Sequence, residues 1–431
     1  MARALHAAIG EFEAKDRLAF YRFLVENFLP PEAQLRAAAE AYLAEPTPEH
    51  ATQVAEAAEP ARQELLRRMN MVPGGTAALV AMRRDLLTNL GNEPNLKPLD
   101  VDLRHLLASW FNRGFLDLRR IDWQTPAAVL EKLIAYEAVH EIQGWDDLRR
   151  RLAPDRRCFA FFHPALPGEP LIFVEVALIS GLAAAVQPLL AADGDERAER
   201  AREQAADTAI FYSISNCQAG LRGVAFGNFL IKQVVEELKA ELPRLGRFST
   251  LSPVPGLRRW LDKRLLEPDA AEVLREAEVA ALRLTVGEAS QPGNPVALLH
   301  RLLEMEDWWK DAMLVEAARA PLTRLCTIYL TTPQGGRGPA DPVARFHLGN
   351  GARLERVNWL GNVASRGIRE SYGIMVNYLY DPEQIEANHE AFVRGAIVCS
   401  AAVNALLETP ALPTAMAQPK AAIRTRRPPK D

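Results

Sequence analysis

Apolar positions recur three and four residues apart through roughly the first 150 residues, set among Ala, Leu, Glu and Arg, which favour helix. The pattern breaks at Pro30-Pro31, Pro46 to Pro48, Gly74-Gly75, Gly91 to Pro94 and Gly144. Proline lacks the helical N–H and glycine opens left-handed backbone, so these are natural ends of helices. Residues 48–69, 76–90 and 125–142 each pair an apolar stripe with a charged face, as helices do when they bury one side against one another. An all-α helical bundle is predicted over residues 1–150. His50, His105 and His140 have no metal-type partner at nearby spacing and are read as structural.

After Pro154 the period changes. Residues 158–162, 170–178 (PLIFVEVAL), 209–215 (AIFYSIS) and 371–380 (SYGIMVNYLY) are rich in β-branched and aromatic side chains and read as strands. Helices and long connections separate them, which predicts a mixed sheet with helices packed on it over residues 151–410, and an α+β chain overall. The helical pattern returns between residues 257 and 330, including LLEMEDWWKDAML, and is read as an insertion that covers or flanks the site. Residues 411–431 are Pro, Ala, Lys and Arg for the most part and read as a disordered basic tail.

Composition narrows the function. The chain has 431 residues, 48% hydrophobic and 25% charged, enough for two cores. A net charge of −4 gives no overall field to draw it to nucleic acid or an acidic membrane, so any anion must be gripped locally. Cys158, Cys217, Cys326 and Cys399 form no pair at zinc spacing, and no apolar run approaches the ~20 residues of a membrane span. A cytoplasmic protein with reduced thiols and no metal is the expectation.

The most informative local feature is AIFYSIS running into QAGLRGVAFG and then NFLIKQVVEELKAEL. A strand, a loop bearing Gly220, Gly223 and Gly227, and a helix start succeed one another. Glycines let backbone amides approach an oxyanion, and the first N–H groups of a helix point outward unpaired. The join can therefore cradle a phosphate, with Arg222 as an added ion pair; a plain tight turn is the competing reading. GLRGVAFG fits neither the dinucleotide GxGxxG nor a Walker loop. It is similar to the pyrophosphate loop of the GNAT acetyltransferase fold, which holds coenzyme A, with Ala225 where the first glycine is usual.

Three blocks, TAIFYSISNCQAGLRGVAFGNFLIKQVVEEL, FSTLSPVPGL and PVARFHLGNGARLERVNWLGNVASRGIRESYGIMVNYLY, together resemble the malonyl-CoA decarboxylase family. The resemblance implies a helical N-terminal domain that serves oligomerisation, a GNAT-like catalytic domain and a homo-oligomer, tetramer or dimer. It implies malonyl-CoA as substrate and acetyl-CoA and CO2 as products. The family's catalytic serine falls on Ser252 in the SxxSPxPG block, its histidine on His347 in the FHLxNGA block, and an implicated tyrosine on Tyr380. Ser249, Asn358, Arg366 and Asn377 lie in the matched blocks as candidate pocket residues. Some members carry a glutamate in the glycine loop where this chain has Ala225, so a mechanism that needs it does not transfer.

These residue types suit the reaction. Loss of CO2 from a malonyl thioester leaves an enolate, so charge on the thioester oxygen must be stabilised and the α-carbon protonated. The thioester carbonyl is itself the electron sink, and no cofactor is called for. Hydroxyl donors serve the first task, and a histidine with a pKa near neutrality the second. A Ser-Pro turn, a helix-end histidine and a packed strand tyrosine are the structural alternatives for Ser252, His347 and Tyr380. The functional alternatives are a GNAT-type acyl-CoA-dependent acetyltransferase, which would need an amine acceptor, and a non-catalytic acyl-CoA sensor. Glu175, His163, Cys217 and the Trp308-Trp309 pair are weaker candidates, read mainly as packing.

Overall fold

The computed structural model describes residues 2–191, 194–224, 229–267, 273–287, 295–333 and 338–408. The N-terminal region is built from helices Ala2–Glu11, Ala14–Asn27, Glu32–Ala44, Pro48–Ala57, Ala61–Asn70, Gly75–Asn89 and Lys97–Trp110. Their apolar stripes meet in a core around Tyr21, Leu24, Leu66, Leu79, Leu86 and Leu103. The helix expected over 48–69 is two helices, because Pro60 cannot donate to the preceding turn and biases Glu59 away from helix.

The helical region ends at Trp110 and not near residue 150. Strand β1 (Asp117–Ile121) already belongs to the sheet, paired antiparallel with β2 (Arg156–Phe162). Its sequence, DLRRI, is that of a largely exposed edge strand, whose charged side chains hide the period of two. The helix expected over 125–142 is only Ala127–Tyr136, because Glu137 leaves helical backbone.

Beyond these lie β3 (Pro170–Ile179), β4 (Thr208–Asn216), β5 (Arg247–Thr250), β6 (Ser252–Pro253), β7 (Arg353–Asn358) and β8 (Met375–Tyr380). The sheet order is β1-β2-β3-β4-β5-β8-β6, with β7 also on β8. Every pairing is antiparallel except β4 with β5. The mixed sheet under helices is as expected, and β3 and β4 are buried on both faces, which is why their sequences read as continuous apolar runs. The strand expected over 371–380 is shorter. Ser365–Ser371 is helix, Tyr372 takes a left-handed φ of 54°, and β8 comes after it.

Two irregularities position the site. A register shift opposite Glu175 and Val176 makes Tyr212 an extra residue in β4, a bulge that re-aims the rest of the strand from Ser213 onward. The β4–β5 pairing stops at Phe211↔Thr250, with one further bond from Leu251 N to Phe211 O. From there β4 continues along β3 while the other chain segment crosses to β6 on β8, so the sheet opens between them.

The two regions share a core, since Val80, Leu107 and Phe111 pack with Leu221 and Val224. Arg83, 2% exposed, donates to Asp100 Oδ1 and to Gly220 O, both at 2.8 Å. A Cβ on Gly220 would lie 2.0 Å from Val80 O. Gly220→Ala is expected to force this seam apart and lower stability by about 1–3 kcal/mol, the usual cost of overpacking; a denaturant titration checks it.

Candidate active site

A cavity of about 450 Å³ occupies the opening in the sheet, bounded by Phe211, Ser213 and Ile214 of β4, Ser252 and Pro253 of β6, and one face of the helix Pro342–Gly349. That helix is started by Asp341, whose Oδ1 accepts from Val343 N at 2.9 Å and Ala344 N at 3.0 Å, with Pro342 in its first turn. One and a half turns on, His347 points into the wall and is 3% exposed. Its Nε2 lies 3.2 Å from Ser252 Oγ and its Nδ1 2.8 Å from Tyr380 OH. Its ring stacks on Tyr378, with centroids 4.7 Å apart and 25° between planes. The structure thus brings Ser252, His347 and Tyr380 together from β6, a helix and β8.

The partners set the order of the protons. Ser252 Oγ donates to Thr250 Oγ1 at 2.8 Å, so the contact with His347 is made by an Nε2–H. Nδ1 then accepts from Tyr380. The chain Tyr380, His347, Ser252, Thr250 donates in one direction throughout. Burial without a carboxylate partner lowers the His347 pKa to about 3, and burial holds the Tyr380 phenol well above its usual range. His347 is therefore a neutral imidazole at pH 7, and the expected near-neutral pKa is corrected: the cation has nothing in this wall to stabilise it.

Burial of neutral histidines also ties stability to pH. His140, another buried imidazole, is lowered to about 4. Between pH 6.5 and these values the unfolded chain takes up protons that the folded one refuses, so stability is complete above pH 6.5 and falls as pH drops. Each group contributes a slope of about 1.4 kcal/mol per pH unit. Denaturant midpoints are expected to fall from pH 7 to pH 5, and less steeply in His347→Gln.

The other expected pocket residues form the frame behind the wall. Asn377 Nδ2 donates to Thr250 O at 2.7 Å, and Asn358 Nδ2 to Asn377 Oδ1 at 2.8 Å. Ser249 Oγ ties β5 to β8 by donating to Tyr378 O at 3.0 Å. Arg366 lies outside the cavity lining: it bonds Glu370 and the carbonyl of Ala138. Sequence reasoning missed Thr250, which accepts from both Ser252 Oγ and Tyr378 N, and Asn350. It also missed Arg345, an exposed cation on the cavity wall. Periodicity on the helix could have found Arg345 and Asn350; nothing local marks Thr250.

Asn216, Val224 and Leu230 line the end of the cavity beside the glycine loop. Gly223 needs its φ of +75°, and Arg222 is exposed, while Gly220 is accounted for by the seam with Val80. Gly227 and Ala225 lie outside the described residues, as does the 411–431 tail. Glu175 faces no solvent: it pairs with Arg151 at 2.7 Å, and burial pushes it up to about 8. Cys217 and Trp308 are packed in cores, and His163 bridges Trp110 O and Ala165 N. Among the described residues no cluster of His, Cys, Asp or Glu is arranged to hold a metal, and no helix is long and apolar enough to cross a membrane.

Residues 28–111 match the family model of the malonyl-CoA decarboxylase N-terminal domain, and residues 114–417 that of the malonyl-CoA decarboxylase C-terminal domain. The chain belongs to the malonyl-CoA decarboxylase family. The family is one of decarboxylases, that is, carboxy-lyases. The junction between the two matches falls where the last N-terminal helix ends and the sheet begins. The chain is 41% identical over 339 residues to the mitochondrial malonyl-CoA decarboxylase of Anser anser anser, covering 78% of this chain and 66% of that one. It is 38% identical to the mitochondrial enzyme of Mus musculus, over 78% of this chain and 68% of that one. The crystal structure of malonyl-CoA decarboxylase from Rhodopseudomonas palustris superposes with a TM-score of 0.81 at 48% identity, covering 94% of this chain and 93% of the other. That from Agrobacterium vitis gives 0.79 at 46% identity, over 95% of each.

Proposed function

We propose that this protein decarboxylates malonyl-CoA to acetyl-CoA and CO2 in the cavity between β4 and β6, with His347 and Ser252 as the groups that meet the reacting thioester. The observation that carries the reading is the unidirectional chain from Tyr380 to Thr250, which places Nε2–H and a serine hydroxyl side by side in the cavity wall. As the bond between the α-carbon and the carboxylate breaks, its electrons move onto the thioester oxygen and CO2 leaves. A neutral imidazole N–H and a hydroxyl are both donors suited to that oxyanion: the N–H holds the serine oxygen in place, and the hydroxyl turns from Thr250 to the charge as it appears. The enolate then regains a proton at the α-carbon, and that proton comes from solvent. It is given by a water held by His347, or by His347 Nε2, which takes a solvent proton back as it gives its own up. The imidazole ends neutral as it began, with Tyr380 supplying the hydrogen bond to Nδ1.

The coenzyme A phosphates are assigned to the loop beside Asn216 and Val224, with Gly223, Gly227 and Arg222, and the thioester to the far end of the cavity. No step in this scheme passes through a metal or organic cofactor. The homo-oligomeric state, the role of the N-terminal helices in assembly and the cytoplasmic location are part of the same proposal and rest on the family resemblance and the sequence. Purified protein incubated with malonyl-CoA, with and without a chelator, is expected to release acetyl-CoA and CO2 equally in both. Absence of product in both would refute the function, and loss with chelator alone would refute the scheme. Release of CO2 without any amine acceptor separates it from acyl transfer.

A further inference from the structure

The helix Ala127–Tyr136 ends at Glu137, whose side chain turns beneath β4 and is 7% exposed. Among the described residues, every hydrogen bond to its carboxylate comes from a donor in residues 139–140 or in β4. Oε1 accepts from the backbone N–H groups of Val139 and His140, each at 2.8 Å, and Ser213 Oγ lies 2.8 Å from both carboxylate oxygens. Ser215 Oγ donates to Oε2 at 3.0 Å and itself accepts from Ala138 N at 3.2 Å. The carbonyls of the same segment are held from the other side, His140 O by Arg151 at 3.1 Å and Ala138 O by Arg366. Residues 137–140 are thus a strap fastened to β4 through one carboxylate. Val139 of the strap and Ser213 of the strand both line the cavity.

A serine hydroxyl has one proton and two lone pairs, and a carboxylate only accepts. The Ser213 proton is therefore committed to Glu137, and so is that of Ser215, 3.3 Å from Ser213. What Ser213 retains for the cavity is acceptor capacity alone. We propose that Glu137 is a positioning residue for the substrate: by holding the Ser213 proton under the cavity it makes Ser213 a hydrogen-bond acceptor for an amide N–H of the acyl-CoA's pantetheine arm. The same polarity repels a carboxylate, so the malonyl carboxylate is turned toward Ser252, His347 and the Arg345 side of the cavity. The inference rests on the acyl-CoA reading above and deepens it.

The test compares malonyl-CoA with malonyl thioesters in which one or the other pantetheine amide N–H is replaced by an ester oxygen. Wild type is expected to lose about tenfold in kcat/KM, mainly through KM, on one of the two ester analogues, the order of a single hydrogen bond to a buried acceptor. Ser213→Ala, a small change that leaves Glu137 in place, is expected to lose a similar factor on malonyl-CoA and to treat ester and amide alike. Glu137→Gln, whose amide can donate to Ser213 and turn its proton into the cavity, is expected to lose the discrimination too, with a thermal melt reporting that it folds. Discrimination retained in Ser213→Ala or in a folded Glu137→Gln would overturn the proposal, as would a wild type indifferent to both analogues. Should Glu137→Gln not fold, Ser213→Ala decides. If wild type releases no CO2 from malonyl-CoA, the proposed function fails instead, and binding of the corresponding acetyl thioesters carries the same comparison.

Discussion

Replacing His347 by Asn is expected to lower kcat for malonyl-CoA by about 10³-fold while KM moves by less than about threefold, the scale on which oriented donors and proton-transfer groups act in a transition state. His347 makes its contacts inside the wall, with Ser252, Tyr380 and the Tyr378 ring, so little of the binding of a long acyl-CoA depends on it. What it supplies is an N–H whose direction is fixed by the Tyr380 bond at its other nitrogen. Tyr380→Phe is accordingly expected to cost about tenfold, one hydrogen bond's worth of orientation, with the ring retained. A pH profile separates this role from that of an imidazolium acid. With a pKa of about 3, the neutral form is complete above pH 5, so kcat should show no His347 inflection between pH 5.5 and 8. Loss of rate as pH rises through 6.5 would mean that the cation is the working species. Steady-state kinetics of the three proteins from pH 5.5 to 8 measures all of this.

Parts of this arrangement are legible in the chain and others are not, for physical reasons. PLIFVEVAL and AIFYSIS announce β3 and β4 because both faces of these strands are buried. DLRRI and RLERVN are half-solvated, and their charges mask β1 and β7. Asp341 before Pro342 marks the start of the helix that carries His347, but its 95-residue separation from Ser252 means that no local pattern joins the two. Only resemblance to a family places them in one site. Glu137 is the clearest loss. It stands at the end of an amphipathic helix, where a solvated glutamate is the ordinary expectation, and its partners Ser213 and Ser215 come 76 and 78 residues later. Gly220 is legible as a glycine at a tight join; that the obstacle to a side chain there is the Val80 carbonyl of the helical region emerges only from packing.

Ser252→Ala is expected to reduce kcat by about 10²-fold, and Thr250→Val is the comparison that gives this number meaning. Ser252 is held by β6 pairing with Val376, with Pro253 next to it opposite Met375, so the loss of one oxygen leaves the backbone in place. Its hydroxyl donates to Thr250 Oγ1 at 2.8 Å in the free protein. To reach a developing oxyanion it must turn that proton into the cavity, leaving the Thr250 acceptor to the Tyr378 N–H alone, at 3.2 Å. Thr250→Val removes the acceptor that competes for the serine proton and also a partner of the β8 backbone. If Thr250 only holds Ser252 in reserve, the variant loses stability with kcat within a few-fold of wild type. If Thr250 orients Ser252 during the reaction, kcat falls nearly as far as in Ser252→Ala, and the double variant is no worse than the serine variant alone. The proton order favours the first outcome, because the serine proton has left Thr250 by the time the oxyanion forms, and the direction of the His347 N–H is set by Tyr380 at its other nitrogen. A double-mutant cycle on kcat, with melts to separate stability from rate, decides between them.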